Sequence, residues 1–417
     1  MLRNYLKVAL KVLLRRKFFT FISLFGVSLT LLVLLVATAL FDHLFAPQAP
    51  EVAGDRSLGI YLMSMTGPES NRSAFAGYLF LDRFVRPMKE LPAVEAVTLF
   101  TLPETVVSYL GGRKIETSLK RTDGEFWQVM RFEFLEGGPF TAEDDREARF
   151  VAVINAATRE KFFGGEPALG KKIEVDGQRF EVVGVVPNVP VMRIAPYADV
   201  WVPISTAKSD AYRTEVVGSF MSLIVARSRS DFGEIRSEVA ARLTQAGSLL
   251  DGKEYTELHG GADTPFEAFA RLMLSGNLDQ SQPRRLLLIL GVLALTFMLL
   301  PTINLVNINL SRILDRSSEI GVRKAFGASS LTLVGQFVVE NVVLTLVGAA
   351  IGLLLAWGAL GAINASEMIA YSQLTINFRV FLAAVWIALF FGILSGAYPA
   401  LRMSRLHPVE ALKGKPV

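Results

Sequence analysis

The sequence predicts a membrane protein with four transmembrane α-helices in a 1+3 arrangement and a large α+β extracytoplasmic domain inserted between helices one and two. Uncharged apolar stretches occupy 18–41, 286–310, 342–363 and 380–400, and largely polar sequence separates the first from the second. Each stretch has the length of roughly 20 residues needed to cross a hydrocarbon core about 30 Å thick. Buried helices of soluble proteins seldom run so far without a charge.

The segment boundaries follow from where charged and turn-forming residues resume. The outer domain, 42–284, is predicted to contain one subdomain formed by 46–108 with 218–278, and a second subdomain, 109–217, inserted into it. The other segments are a basic cytoplasmic N-terminal segment 1–17, span one 18–41, span two 285–311, a cytoplasmic segment 312–330, span three 331–363, a short loop 364–379, span four 380–400 and a cytoplasmic tail 401–417.

Lysine and arginine near the span ends predict the orientation, because cationic side chains resist translocation. They cluster in 1–17, 312–330 and 401–417, which we therefore place in the cytoplasm with both termini. The outer domain and the loop 364–379 then lie on the opposite side. A cleavable signal peptide is the alternative for 18–41, but that run is longer than an h-region of about 7 to 15 residues.

Composition limits the partners and the chemistry. The net charge of +4 comes with basic residues at the membrane flanks, where anionic lipid headgroups explain them, so membrane lipid and not nucleic acid is the expected partner. The chain has no cysteine, which excludes disulfides, thiolate metal sites and a cysteine nucleophile. The outer domain must therefore be stabilised by packing alone.

Local patterns predict strands and helices in the outer domain. Helices are predicted at 75–91 and at 231–245, the second with Ser230 as its N-cap. Strands are predicted at 94–100, 114–121, 150–154 and 220–226. The segment 171–186 is predicted to form a β-hairpin, in which Asp176 and Gly177 supply a type I′ turn.

No residue pattern predicts catalysis or a bound cofactor. The three histidines, His43, His259 and His407, fall in different regions, and no His/Asp/Glu grouping has metal-ligand spacing. The segment from Gly165 to Lys171 matches half of a phosphate-binding loop. The next residue is a lysine where that loop needs Ser or Thr, and a helix precedes it where a strand is needed, so we interpret it as an ordinary turn.

Several motifs resemble one family. The segments RSSEIGVRKAFGAS (316–329), QFVVE (336–340) and GAYPALRMSRLHPVEALKG (396–414) are similar to the FtsX-like permease module of MacB-type ABC transporters. In the outer domain, VAVIN from Val151, KFFGGEPALGKKI from Lys161 and the following hairpin resemble the MacB-like periplasmic core domain. The N-terminal segment from Ala9 resembles the first span of that family.

The resemblance implies a non-catalytic permease of the bacterial inner membrane that binds no cofactor itself. A separate cytoplasmic ABC ATPase dimer would bind ATP and Mg²⁺, since no Walker motif occurs on the predicted cytoplasmic side. A second permease subunit would complete a homodimer or heterodimer. A periplasmic adaptor and an outer-membrane channel are further partners that the family implies.

The segment 316–329 has the residue types of a docking surface, and we call it the coupling segment. Charged residues can face a partner, apolar residues can anchor in a groove, and glycines permit close approach or a helix cap. The alternative is a charged helix end lying on anionic lipid. Its candidate residues are Arg316, Glu319, Ile320, Gly321, Arg323, Lys324, Ala325, Phe326 and Gly327.

Span three contains a carboxylate, Glu340, which is costly in hydrocarbon. It is either interfacial, because the helix begins in the cytoplasm, or a bundle-facing contact that transmits motion from the coupling segment. Small residues mark helix contacts: Gly348 and Gly352 form a GxxxG motif in span three, and Gly392 and Gly396 form another in span four. Packing within the chain and a dimer interface both fit these motifs.

The resemblance implies mechanotransmission, in which closure of the ATPases tilts the spans and moves the outer domains. The expected output is export of a peptide, antibiotic, toxin or similar substrate, because the outer domain is large. Alternatives are release of lipoproteins and regulation of cell-wall hydrolases. A membrane receptor without an ATPase is the alternative from another class of protein.

Overall fold

The computed structural model describes residues 14–404 apart from 16, 47, 111, 251, 253, 276, 277, 279, 316–321, 323–329 and 367. The chain forms two compact units. The first, the helical unit, comprises Met1–Asp42, Leu288–Ser366 and Leu374–Val417. The second, the outer unit, comprises His43–Leu287 and Glu367–Gln373.

Long helices belong to the helical unit, and short helices and strands to the outer unit. The helices are α1 (Lys17–Phe45), α2 (Tyr78–Phe80), α3 (Phe126–Val129), α4 (Ala142–Arg146), α5 (Ala156–Phe163), α6 (Phe232–Ala246), α7 (Pro265–Leu274), α8 (Pro283–Asp315), α9 (Ser330–Ala365) and α10 (Phe378–Ser404). The strands are β1 (Ser57–Ile60), β2 (Leu62–Thr66), β3 (Asn71–Ala76), β4 (Val94–Thr101), β5 (Glu104–Leu110), β6 (Arg113–Thr122), β7 (Glu136–Gly137), β8 (Val151–Asn155), β9 (Lys172–Val175), β10 (Gln178–Val186), β11 (Val200–Pro203), β12 (Val217–Gly218), β13 (Phe220–Ala226) and β14 (Glu257–Gly260).

Three helices in the described part of the chain are long and apolar enough to cross a membrane. They contain the segments Lys17–Phe45, Val334–Ala365 and Phe378–Ser395. The predicted second span coincides with α8, but several α8 side chains lie outside the described residues and this helix is not among the three. The fourth span and the 1+3 arrangement therefore stay predictions.

The strands of the outer unit form one mixed sheet. Its main path runs β14-β2-β3-β13-β4-β6-β11-β8-β10-β7. Strand β8 pairs with β10 in parallel, as β11 does with β6, and the other pairs are antiparallel. Helices from the same unit pack on this sheet, so the outer unit has the mixed helix and strand content that the sequence predicts. Its predicted division into two subdomains stays a prediction.

Four predicted strands and the hairpin are confirmed. Strands β4, β6, β8 and β13 overlap the predicted segments, and β13 is buried along its whole length. In the hairpin, Asp176 and Gly177 have φ of 55° and 68°, as a type I′ turn requires. Ile173 pairs with Phe180 across the two strands, and both side chains are buried.

Two helix predictions need correction. Residues 75 and 76 belong to β3, where Ala76 pairs with Val217, and the rest of 75–91 is divided between α2, a π-helical turn Leu81–Val85 and a 3₁₀ turn Arg86–Glu90. Pro87 has no N–H, so it cannot continue an α-helix. The second helix is confirmed as α6, but Ser230 does not cap it. Ser230 lies in a preceding 3₁₀ turn that is capped by Ser228.

Glycines in α9 face α1 within the same chain. A Cβ atom at Gly348 would lie 2.8 Å from Cγ1 of Val27, and one at Gly352 would lie 2.9 Å from Cβ of Leu31 and 3.0 Å from the carbonyl oxygen of Ser28. Only glycine permits this approach. The first GxxxG motif therefore serves packing within the chain, around a cluster that includes Leu344.

The second motif is described only in part. A Cβ atom at Gly392 would lie 2.7 Å from Oγ1 of Thr345, so this glycine lets α10 approach α9. Gly396 is on the backbone of α10, but its surroundings lie outside the described residues.

We expect Gly352→Ala to lower the free energy of unfolding by about 1 to 3 kcal/mol, because the added methyl group meets backbone atoms of α1 that cannot rotate away. Thermal unfolding of the purified full-length protein in detergent measures this. Gly358→Ala is the matched control on the same helix, since its Cβ would meet nothing within 4 Å. Equal effects of the two substitutions would contradict the packing argument.

Candidate functional site

The predicted coupling segment lies outside the described residues, with one exception. Helix α8 ends at Asp315 and α9 begins at Ser330. Between them, Val322 has a helical backbone and a side chain that is 47% exposed. The role of the coupling segment stays a prediction, and so do the roles of its candidate residues Arg316, Glu319, Ile320, Gly321, Arg323, Lys324, Ala325, Phe326 and Gly327.

Glu340 lies within α9 and is buried in the helical unit. Its side chain is only 3% exposed, and its Oε1 accepts a hydrogen bond of 3.1 Å from Nε2 of Gln336, one turn earlier. Asn341 and Thr345 are also buried nearby on the same helix. The surrounding helices thus enclose the carboxylate, as the bundle-facing interpretation expects. Its role in transmission stays a prediction.

The middle of the loop between α9 and α10, Glu367–Gln373, belongs to the outer unit and forms two hydrogen bonds with the rest of that unit. The backbone N–H of Val191 donates to the carbonyl oxygen of Ala370 at 3.1 Å. The hydroxyl of Tyr371 donates to Oδ1 of Asp199 at 3.1 Å. We call this pair of contacts the loop latch. The short loop is therefore attached to the folded domain inserted between α1 and α8.

Asp199 is held in place by strands of the outer unit. Its carboxylate is 5% exposed and accepts hydrogen bonds from the backbone N–H of Ser118 at 3.0 Å and from Nδ2 of Asn155 at 2.8 Å. Asn155 also caps α5 by accepting from the N–H of Thr158. Hydrogen bonds to an ionised acceptor are stronger than neutral ones. The carboxylate of Asp199, which accepts the hydrogen bond from Tyr371, is thus held by residues of β6 and β8.

The conformation of Tyr371 is unusual. Its φ of 59° lies in the left-handed region, which bulky residues seldom adopt unless their surroundings enforce it. Burial, together with the negative charge of Asp199, raises the pKa of the Tyr371 hydroxyl above its usual value near 10. The hydroxyl therefore remains a hydrogen-bond donor at neutral pH.

The two ends of this loop are joined within the helical unit. Nδ2 of Asn364 donates to the carbonyl oxygen of Leu374 at 3.0 Å, and the N–H of Leu374 donates back to Oδ1 of Asn364 at 2.9 Å. Nδ2 of Asn377 also donates to Oδ2 of Asp42, at the end of α1, at 2.5 Å. These contacts connect the ends of α1, α9 and α10.

Sequence reasoning did not find the loop latch. Tyr371 and Asp199 are 172 residues apart, and neither residue lies in a motif. Only the low charge and the single tyrosine of the loop 364–379 could have drawn attention to it. Such a signal is too weak to identify a partner.

The described residues contain no group of three His, Cys, Asp or Glu that could hold a metal. The half-match to a phosphate-binding loop follows α5 and enters β9, which confirms the turn interpretation. There, Nζ of Lys171 lies 3.3 Å from a carboxylate oxygen of Glu166 and 5.1 Å from the ring centre of Phe163. The lysine is therefore engaged in local contacts.

Comparison with known proteins covers both units. The chain is 24% identical over 415 residues to the uncharacterized ABC transporter permease YknZ of Bacillus subtilis, with 98% of each chain covered. It is 27% identical over 422 aligned positions to the pyoverdine export ATP-binding/permease protein PvdT of Pseudomonas syringae pv. tomato, covering 99% of this chain and 59% of PvdT. The crystal structure of the extracellular domain of YknZ from Gram-positive bacteria aligns with 48% of this chain and 98% of that one, at 18% identity and a TM-score of 0.37.

Two family descriptions match successive parts of the chain. Residues 20–245 match the MacB-like periplasmic core domain, and residues 291–408 match the FtsX-like permease C-terminal domain. Together they include most of α1, the strands β1 to β13 of the outer unit and most of the long helices that follow. The chain therefore belongs to the MacB-like family of ABC transporter permeases, with an FtsX-like permease domain after its periplasmic core domain.

Proposed function

We propose that this chain is the permease subunit of a MacB-like ABC transporter and converts closure of a partner ATPase into motion of its outer domain. It has four spans in a 1+3 arrangement, with both termini in the cytoplasm of a bacterial cell and the outer domain beyond the inner membrane. The output that we favour is export of a peptide, antibiotic, toxin or similar substrate. The similarity to PvdT, a pyoverdine export ATP-binding/permease protein, supports that choice.

The loop latch is the observation that carries this proposal. The outer unit is joined covalently to α1 and α8, and the loop latch adds a third attachment through Tyr371 and Ala370, close to α9 and α10. In this proposal, motion of α9 and α10 would reach the outer unit through this loop as well as through the chain connections from α1 and α8. The permease would then have two conformations, one before and one after closure of the ATPase. The ATPase can shift the balance between them only if it binds the two conformations with different free energies.

ATP and Mg²⁺ are bound in this proposal by a separate cytoplasmic ABC ATPase, which would contact the coupling segment. Two permease subunits, identical or related, would assemble with two ATPase subunits. A periplasmic adaptor and an outer-membrane channel would complete an export route. Glu340, buried beside Gln336 in α9, would pass motion from the coupling segment into the bundle.

Charge reversal in the coupling segment tests the ATPase contact. We expect the triple substitution Glu319→Lys, Arg323→Glu, Lys324→Glu to abolish co-purification of the ATPase with the full-length permease, because each docking charge then meets a like charge. Arg179→Glu, on the hairpin of the outer unit where the side chain is 78% exposed, is the control and keeps the ATPase. If the triple variant still co-purified with the ATPase, these three residues would not bind it.

The absence of cysteine from the chain permits a direct test of orientation. We expect Lys324→Cys to react with a membrane-impermeant maleimide only after cells are permeabilised, because this segment is proposed to be cytoplasmic. Tyr109→Cys, at a site that is 72% exposed in the outer unit, should react once the outer face of the inner membrane is accessible. Labelling in the reverse pattern would refute the proposed orientation.

Removal of the Tyr371 hydroxyl tests the loop latch. We expect Tyr371→Phe to reduce export relative to ATP hydrolysis by roughly two- to tenfold, the effect of losing one hydrogen bond. Export and ATPase activity are measured together in cells and in the reconstituted complex. Tyr109→Phe, which removes an exposed hydroxyl, is the control. An unchanged ratio of export to ATP hydrolysis in Tyr371→Phe would show that the loop latch does not transmit motion.

A further inference from the structure

Helix α7 presents its apolar side outward. Its charged residues are paired within the outer unit: Glu267 accepts from Nη2 of Arg236 at 2.5 Å, and Arg271, only 6% exposed, donates to both carboxylate oxygens of Asp263 at 2.6 and 3.0 Å. An ordinary surface helix has the reverse arrangement. The exposed residues are Phe269, Leu272 and Met273, with exposed fractions of 39%, 52% and 54%.

An apolar cavity of about 380 Å³ lies beside this face. The size falls at the lower end of the range for ligand pockets, about 300 to 1,000 Å³. Side chains from α7, from the end of α1, from the loop 191–195 and from the sheet line it. They include Ala268, Phe269, Leu272, Phe45, Met192 and Met221.

The charged residues that line the cavity are already paired with each other. Nε of Arg193 donates to Oε2 of Glu51 at 2.8 Å, and its Nη1 donates to the carbonyl oxygen of Ala46 at 3.1 Å. Behind the same loop, Nζ of the buried Lys120 donates to the carbonyl oxygens of Ile194 and Ala195. These hydrogen bonds restrain the wall and satisfy its charges, so the cavity favours a hydrocarbon ligand over an ionic one.

Helix α7 contacts the last residue of α1 and is followed in the chain by α8. The ring of Phe45, the last residue of α1, lies 5.5 Å from that of Phe266 and 5.7 Å from that of Phe269. Helix α8 begins at Pro283, a short connection after α7, and Arg284 and Arg285 at its start are exposed. An amphipathic helix at the end of a span lies at the level of lipid headgroups, where arginine attracts phosphate.

We propose that the cavity binds one acyl chain of a membrane phospholipid, while α7 lies in the membrane interface with its apolar face toward the lipid. The exposed face of α7 and the cavity share Phe269 and Leu272, so a chain can pass from the bilayer into the cavity without crossing a polar surface. This site is independent of the ATPase contact and of the exported substrate.

The test uses the full-length protein in vesicles of phosphatidylcholine and phosphatidylglycerol with a nitroxide in the middle of the acyl chain. A bimane fluorophore is attached to Met192→Cys, inside the cavity, in the cysteine-free chain. We expect the nitroxide lipid to quench this fluorophore, and not one on the exposed control Tyr109→Cys. The substitution Ala268→Trp fills the cavity, so adding it should abolish quenching of the fluorophore at position 192. A fluorophore on Met273→Cys, on the exposed face of α7, should still be quenched in the presence of Ala268→Trp.

Ile194→Cys provides a second reporter in the cavity wall if Met192→Cys fails to fold. Quenching at both reporters no stronger than at Tyr109→Cys would overturn the proposal. Quenching at Met273→Cys alone would also overturn it, because α7 would then touch lipid without a chain entering the cavity. Disulfide formation between two copies of Leu272→Cys would show that a second copy of the chain covers this face, which is equally contrary to the proposal.

Discussion

The buried carboxylate of Asp199 is the interaction on which the attachment of the loop between α9 and α10 to the sheet of the outer unit depends. It joins β6 through Ser118 and β8 through Asn155, and it also accepts the hydroxyl of Tyr371. A carboxylate this deep in a protein requires several donors to offset its lost hydration. One of those donors comes from the loop between α9 and α10. The loop latch is therefore part of the internal bonding of the outer unit and not a loose surface contact.

The helical unit depends on a different constraint, the close approach of backbones. Gly348 and Gly352 bring α9 against α1, and Gly392 brings α10 against α9. In a bilayer, association of helices gains little from the hydrophobic effect, so packing of small residues and buried polar contacts must supply it. The hydrogen bonds between Asn364 and Leu374 and between Asn377 and Asp42 add such contacts where these helices end.

The elements that sequence reasoning predicted correctly are those whose signal is local. The hairpin at 172–186 has alternating apolar residues and its turn residues within one short segment. The prediction for 75–91 was wrong because Ala76 pairs with Val217, far along the chain, and because Pro87 interrupts the helix. Glycine spacing predicted close helix contacts but could not distinguish α1 from a second subunit as the partner. Tyr371 and Asp199 meet only in the folded chain, so no sequence pattern could pair them.

The loop 191–195 belongs both to the loop latch and to the cavity beside α7. Its first residue, Val191, bonds to Ala370, while Met192 and Ile194 line the cavity. Lys120 and the pairing of Arg193 with Glu51 hold the loop between these two sites. An acyl chain in the cavity would restrict the motion of the loop 191–195 further. The loop would then lose less conformational entropy when Val191 forms its hydrogen bond to Ala370. A bound lipid would therefore strengthen the loop latch, and the membrane would in this way stabilise the attachment of the loop between α9 and α10 to the outer unit.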